Sequence, residues 1–326
     1  MSATIKESPI EERIAKLKAE RNAIILSHNY QDSDIQDLAD VLGDSLELAR
    51  KCTEVDAEVI VFCGVHFMAE TAKLLNPEKT VLLPDLDAGC SLAEGCRPEQ
   101  LAAFQKHLAA KTGKPIYTIA YVNCTAAVKS LVDICCTSGN AVQVVEQAPA
   151  DHHILFVPDY HLGSWLQQKT GRDMTLWNGS CSVHESLSRR DLMFMKQEHP
   201  DAVVIAHPEC VAGVLDLADH VLSTAGMVKI AREMKDTTFI VGTEANMLHR
   251  LRLEGPSNTY LPAPGIPAPG QASCANCVRC PHMALNTMEK LEACLRDMSP
   301  QIELDPVIVE PAKRSIERML AVPRPS

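Results

Sequence analysis

A histidine or tyrosine at the end of an apolar run, a polar residue two positions on and a hydroxyl seventeen positions on could move protons and hold an anion. The chain carries this set three times, in stretches that begin at Ile25 (ILSHNYQDSDIQDLADVLGDS), Ile119 (IAYVNCTAAVKSLVDICCTS) and Ile205 (IAHPECVAGVLDLADHVLST). Aligned on the apolar lead-in, His28, Tyr121 and His207 coincide, and Tyr30, Asn123 and Glu209 stand two residues later. Ser45, Ser138 and Thr224 stand seventeen residues after the first position, and Asp40, Asp133 and Asp219 precede those hydroxyls by five. A carboxylate beside an imidazole, as in His207–Glu209, suits proton transfer. Tyr30 and Tyr121 join that chemistry if a nearby metal or cation lowers their pKa. A lone histidine at a strand end is more often structural, but recurrence at one offset points to a shared site. The hydroxyls each precede a helical stretch. As N-caps they need no function, whereas three helix N-termini facing one cavity would bind carboxylates or phosphate. His184, three residues after Cys181, is a further candidate, while His152, His153, His199 and His249 lie in polar contexts and read as surface residues.

Each unit also ends its last strand in a loop with a cysteine: Cys90 in DAGCSLA, Cys181 in NGSCSVH, and one of Cys274, Cys277 or Cys280 in CANCVRC. Open α/β sheets bind ligands at the carboxyl ends of their strands. Three thiolates about a threefold axis suit three corners of a cubane iron–sulfur cluster, and a fourth iron without a protein ligand can act as a Lewis acid. The spacing C-x-x-C-x-x-C by itself also allows zinc or a complete local site, although no second Cys-x-x-Cys pair supports zinc.

The elements that must position these groups follow from the same pattern. A period of about 90 residues is too long for a solenoid and implies three copies of one α/β unit. The expected fold is α/β, with three pseudo-threefold-related αβα domains, each holding a short parallel sheet, around a central active site. The expected segments are 1–95 with an N-terminal helix, 96–183, and 184–326 with a Pro/Gly loop, the cysteine cluster and C-terminal helices. Apolar runs predict strands at Ala23–Ser27, Glu58–Cys63, Thr80–Leu83, Pro115–Tyr121, Ile154–Val157, Ala202–Ala206 and Thr238–Val241. Helices are expected at Glu11–Arg21, Asp34–Leu42, Ser45–Lys51, Phe67–Leu75, Ala126–Leu131, Asn140–Gln147, Leu162–Lys169, Ser186–His199, Val211–Leu217, Ala225–Met234 and Met283–Arg296. Short strands alternating with helices imply parallel sheets covered on both faces. Residues 255–273 hold five prolines and three glycines and read as a loop, either passive or a lid.

The 326 residues carry a net charge of −11, which argues against nucleic acid as the main partner. No apolar run reaches the length of a membrane span, and the first residues lack the apolar region of a signal peptide. A cytoplasmic location is therefore expected, where thirteen cysteines are core filler, metal ligands or reactive thiols rather than a disulfide framework. Neither a G-x-G-x-x-G after a strand nor a P-loop occurs, so nucleotide binding has no support.

At S-H-N-Y-Q, Y-V-N, D-A-G-C-S-L-A, A-H-P-E-C, S-T-A-G-M and C-x-x-C-x-x-C-P-x-M-A-x-N-T, the chain resembles the quinolinate synthase (NadA) family over roughly residues 22–292. The resemblance implies three pseudo-symmetric α/β domains around a [4Fe–4S] cluster with one open iron. It implies condensation of iminoaspartate with dihydroxyacetone phosphate to quinolinate, phosphate and water, on the route to NAD. L-aspartate oxidase is the implied candidate source of iminoaspartate. By motif position it implies Cys90, Cys181 and Cys280 as ligands. It implies site roles for His28, Tyr30, Tyr121, His184, His207 and Glu209 in catalysis, and for Ser45, Asn123, Ser138 and Thr224 in substrate binding. Cys274 and Cys277 match the subtype with three clustered cysteines, in which only the last is a ligand. They are then either a redox-sensitive pair or spare thiols. The alternatives are another hydro-lyase with an open-site cluster, or a non-catalytic iron–sulfur sensor, which would not need His28, Tyr30, Glu209 or the repeated hydroxyls.

Overall fold

The computed structural model describes residues 8–266 and 277–323. The apolar runs that open the three repeats each become the second strand of a four-stranded sheet. The first unit contains β1 (Ala23–His28), β2 (Val41–Gly43), β3 (Val59–Cys63) and β4 (Thr80–Leu82). The second contains β5 (Ile116–Tyr121), β6 (Ile134–Cys136), β7 (His153–Val157) and β8 (Met174–Leu176). The third contains β9 (Val203–Ala206), β10 (His220–Val221), β11 (Thr238–Gly242) and β12 (Thr259–Pro262). The strand orders, β2-β1-β3-β4, β6-β5-β7-β8 and β10-β9-β11-β12, are one topology used three times, and every pairing is parallel. Helices cover the sheets, so the central strands read as unbroken apolar runs; β3 (VIVFC) is buried at every position. The fold is thus α/β with three αβα domains.

The aspartate of the repeat is architectural. Asp40, Asp133 and Asp219 each accept a hydrogen bond at 2.8 Å from a backbone N–H of the unit's leading strand, at Ile25, Thr118 and Val204. Their own N–H groups donate to the carbonyls of the same three residues at 2.8–3.0 Å. Each aspartate therefore bridges the leading strand to the chain entering the edge strand, and sets where the following hydroxyl falls.

Several expectations are corrected. The helix expected over Asp34–Leu42 stops at Leu38, because Ala39 turns extended and 41–43 pair with β1 as β2. The edge strands β6, β8 and β10 have no counterpart in the sequence reading, since runs of two or three residues are too short to show a period. Nor have the helices Pro98–Thr112 and Met247–Glu254. The segment 255–273 is not all loop: Thr259–Pro262 forms edge strand β12 beside β11, where proline is tolerated. The expected helix Met283–Arg296 is two pieces, a 3₁₀ turn Met283–Leu285 and a helix Met288–Asp297. Between them Asn286 is extended and buried, its amide donating to the Gly64 carbonyl at 2.7 Å, and Thr287 caps the new helix through the Lys290 N–H. The rest of the segment read as a lid, 267–273, lies outside the described residues.

The last helices follow the third unit in sequence but pack on the other two. Met288–Asp297 lies against the N-terminal helix Ile10–Glu20, with Glu292 paired to Arg13 at 2.8 Å. Pro306–Ala321 buries Ala312, Ile316 and Met319 in one cluster with Ala120, Cys124 and Cys135 of the second unit.

Candidate active site and metal centre

The three leading strands deliver their polar residues to one place. His28 ends β1, Tyr121 ends β5 and His207 follows β9 directly. Together they border one cavity. Thirteen of the fourteen described candidates line it: nine residues of the repeat from His28 to Thr224, together with His184, Cys90, Cys181 and Cys280; Cys277 does not.

Two strand ends share a local geometry. The Tyr30 N–H donates to His28 Nδ1 at 3.2 Å, and the Glu209 N–H approaches His207 Nδ1 at 3.5 Å. Each imidazole therefore carries its proton on Nε2; that of His207 donates to the Ser138 hydroxyl at 3.1 Å. Burial lowers the His28 pKa to about 4 and that of His207 to about 3, so both rings are neutral at neutral pH. His207 stacks on His184, with ring centroids 4.7 Å apart.

Glu209 is the electrostatic centre. Burial alone would raise its pKa, but the facing imidazoles of His184 and His207 and the donors His184 and Tyr121 outweigh it and lower the value to about 2. It is a buried carboxylate held ionised. Its Oε2 lies 2.6 Å from His184 Nδ1. His184 Nε2 is 2.8 Å from the Thr243 hydroxyl, which is 2.5 Å from the Tyr30 hydroxyl. One assignment satisfies this chain: Tyr30 donates to Thr243, Thr243 to His184 Nε2, and His184 Nδ1–H to Glu209. Burial first, then the negative charge of Glu209, raises the Tyr30 and Tyr121 pKa values well above the ordinary phenol. Both therefore stay protonated as donors in this state.

The repeated hydroxyls are not N-caps. Asp44, Asn140 and Ser223 hold those positions for the helices Ser45–Cys52, Ala141–Glu146 and Thr224–Glu233. Ser45 and Thr224 are first helical residues and Ser138 lies ahead of its helix, all three bordering the cavity. Thr224 Oγ1 accepts the Asn29 amide at 3.3 Å across two units.

The three thiols are prepared for negative charge. Cys90 and Cys181 sit at the N-termini of the short helices Ser91–Glu94 and Ser182–Glu185, and Cys280 precedes the turn at Met283. Burial pushes the Cys90 thiol up to about 12, Cys280 to about 11 and Cys181 well above its ordinary value. Opposing this, backbone N–H groups reach each sulfur: Ala93 and Leu92 at Cys90, His184 at Cys181, and Met283 and His282 at Cys280. Donors already aimed at three half-buried cysteines fit a metal cluster that takes them as thiolates. The loops are also tied to one another. Ser91 donates its hydroxyl to the Ser180 carbonyl and accepts the Ser182 N–H, clasping both neighbours of Cys181, and Glu244 accepts the Cys280 N–H at 3.2 Å. Among the described residues, Cys90, Cys181 and Cys280 do not converge to the spacing of a single ion, which disfavours one zinc shared by the three. Cys277 is disulfide-bonded; Cys274 lies outside the described residues.

Sequence reasoning missed Asp44, Thr243, Glu244 and His282. The register pairs Ser27 with Cys63, Ala120 with Val157 and Ala206 with Gly242, so Glu244 corresponds to Asp159, another buried acid. An acid two residues past the third strand of two units was the available signal. Thr243 gave none. The histidines read as surface residues are exposed at His199 and half-buried elsewhere; His153 and His249 have partners in Thr175 and Asp37 at 2.7 Å.

No helix among the described residues is long and apolar enough to cross a membrane. The family model described as "Quinolinate synthetase A protein" matches residues 12–321. A quinolinate synthase of Prochlorococcus marinus is 49% identical over 308 residues, covering 94% of this chain and 89% of that protein. One from a Synechococcus species is 50% identical over 95% of this chain and 93% of its own length. One from Chloroherpeton thalassium is 50% identical, with the same two coverages.

Proposed function

The chain belongs to the quinolinate synthetase A family, and on that premise we propose that it condenses iminoaspartate with dihydroxyacetone phosphate to give quinolinate, phosphate and water in NAD biosynthesis. One observation supports this most: a thiol from each of three units borders the same cavity as a buried carboxylate–imidazole pair and three hydroxyls. Cys90, Cys181 and Cys280 would hold a [4Fe–4S] cluster whose remaining iron supplies Lewis acidity.

The chain's own groups divide the remaining work. Glu209, ionised and buried, accepts a proton from a substrate carbon or nitrogen, and His184 and His207 orient it. Tyr121 donates to Glu209 and, with Asn123, faces the substrate. Tyr30 and His28 orient a carboxylate or assist enolisation. Ser45, Ser138 and Thr224, beside helix N-termini, bind the carboxylates and the phosphate. Burial strengthens each of these interactions. The segments 1–95, 96–183 and 184–326 stand as the three domains, the cytoplasm as the compartment, and L-aspartate oxidase as the candidate source of the imine.

The test uses the full chain purified anaerobically and reconstituted with iron and sulfide. Wild type should hold roughly four irons per chain and form quinolinate from the two substrates. Cys90→Ala, Cys181→Ala and Cys280→Ala should each lose the cluster absorbance, whereas Cys277→Ala keeps it. A cluster that survives Cys280→Ala, or loaded protein that makes no quinolinate, would overturn the reading.

A further inference from the structure

We propose that the cluster-free chain holds a second kind of metal site, for one thiophilic divalent ion of the zinc type, built from Cys181, His184 and Glu209. Their donor atoms all lie within 4.8 Å of one another, the one such group among the described residues. His184 Nδ1 is 3.2 Å from the Cys181 sulfur and 2.6 Å from Glu209 Oε2. In a tetrahedral zinc site with Zn–N of about 2.0–2.1 Å and Zn–S of about 2.3 Å, donors stand roughly 3.3–3.8 Å apart. The ion needs the His184–Glu209 contact to open by less than about 1 Å.

Three features separate this set from a chance contact. The donors match the ion's charge: thiolate and carboxylate neutralise a dication, and a neutral imidazole completes the set, so no net charge is buried. Each donor already has an outer partner, as metal ligands require. Thr243 stands 2.8 Å from His184 Nε2 and can accept its proton, Tyr121 donates to Glu209, and the His184 N–H reaches the Cys181 sulfur. Three protein ligands also leave a fourth position facing the cavity, the pattern of an open site.

The consequence rests on the function proposed above. Cys181 is common to both sites, so an ion held here and the cluster exclude each other. Zinc-loaded chain would be a form that cannot take up the cluster until the ion is removed. Binding releases the Cys181 proton to solvent, and the His184 proton moves from Nδ1 to Nε2, where the Thr243 hydroxyl turns from donor to acceptor, so the imidazole stays neutral; no electron moves and no co-reactant is needed.

Co²⁺ is the probe, added to the full cluster-free chain without oxygen. One Co²⁺ per chain should bind, with a thiolate-to-metal charge-transfer band and the visible bands of a tetrahedral ion. Cys181→Ser should abolish the charge-transfer band, and Glu209→Gln should weaken binding at least tenfold. Thr243→Val, which removes only the outer partner, should weaken it about tenfold. Cys90→Ser and Cys280→Ser should bind as wild type does. Loss of binding in Cys280→Ser would move the site to the C-x-x-C-x-x-C segment. Loss in Cys90→Ser would make it a three-thiolate site, and absence of any cobalt band would remove it; each outcome overturns the proposal. Circular dichroism of each variant separates a lost ligand from a lost fold. In parallel, wild type preloaded with Zn²⁺ should take up iron and sulfide at least tenfold more slowly, with recovery on adding a chelator. Cluster assembly at full rate on zinc-loaded chain overturns the exclusion. Failure of zinc-free chain to assemble a cluster at all counts against the proposed function and leaves the cobalt result standing.

Discussion

The strand ends after β1 and β9 were cast from one mould and do different work. Both place an imidazole at the carboxyl end of an inner strand, both direct the N–H two residues on toward its Nδ1, and both follow a leading strand latched by an aspartate at 2.8 Å. The residue two positions on then differs. Tyr30 is a phenol held protonated and ends a hydrogen-bonded chain through Thr243. Glu209 is a carboxylate held ionised between two imidazoles. The backbone device is preserved because it fixes where a side chain points, and one changed side chain then decides whether that point donates or accepts a proton.

The largest expected effect tests that division. Glu209→Gln keeps the shape but removes the base, and turnover of cluster-loaded enzyme should fall at least about a hundredfold. Tyr30→Phe should cost clearly less, since Thr243 still bonds His184. Equal losses would show that the two ends act as one unit and break the contrast.

The two imidazoles give a pH test. His28 and His207 titrate at about 4 and about 3 when folded, below the ordinary histidine value of about 6.5. Between those limits the unfolded chain binds more protons than the folded one, so folding stability rises with pH. Cluster-free chain should therefore lose stability as the pH falls from about 6.5 toward 4, by up to about 1.4 kcal/mol per pH unit for each ring. The loss from each ring levels off below its folded pKa. Glu209, lowered to about 2, adds a loss in the same direction below its ordinary range. Urea titrations at successive pH values measure this. His28→Gln should remove about half of the slope above pH 5, and an unchanged slope would mean that the two ends are not electrostatic equals.

The hydroxyls come next. Ser138 bonds His207 whereas Thr224 bonds Asn29, and neither caps a helix. Alanine at either should raise the dissociation constant for quinolinate about tenfold, the scale of one hydrogen bond to a charged group. Calorimetry on loaded protein checks it, and unchanged affinity in both variants would leave the hydroxyls architectural.

The smallest effect should be the most uniform. Asp40→Asn and Asp219→Asn weaken a partly exposed latch and should each cost about 1 kcal/mol of stability by urea denaturation, with turnover nearly intact. Unequal costs, or a large loss of activity, would mean that the shared scaffold is not shared in energy.

The sequence by itself determined the threefold repeat, the leading and third strands of each unit and the convergence expected of His28, Tyr121 and His207. Offsets and apolar runs are local properties that survive in one dimension. The same pattern marked Glu209 and one loop cysteine per unit. Resemblance, rather than spacing, singled out Cys280 from its neighbours. Tertiary structure alone decided the rest. Edge strands such as β10, two residues long, exist because a neighbouring strand offers hydrogen bonds, and Thr259–Pro262 became a strand despite Pro262 for the same reason. The hydroxyls were freed from capping because Asp44 and Ser223, one residue earlier, accept the helix N–H groups. Thr243 matters only because Tyr30, 213 residues away, and His184, 59 residues away, both reach its oxygen. Contacts of that range leave no period and no spacing in the chain, since they arise only when the three units close around one cavity.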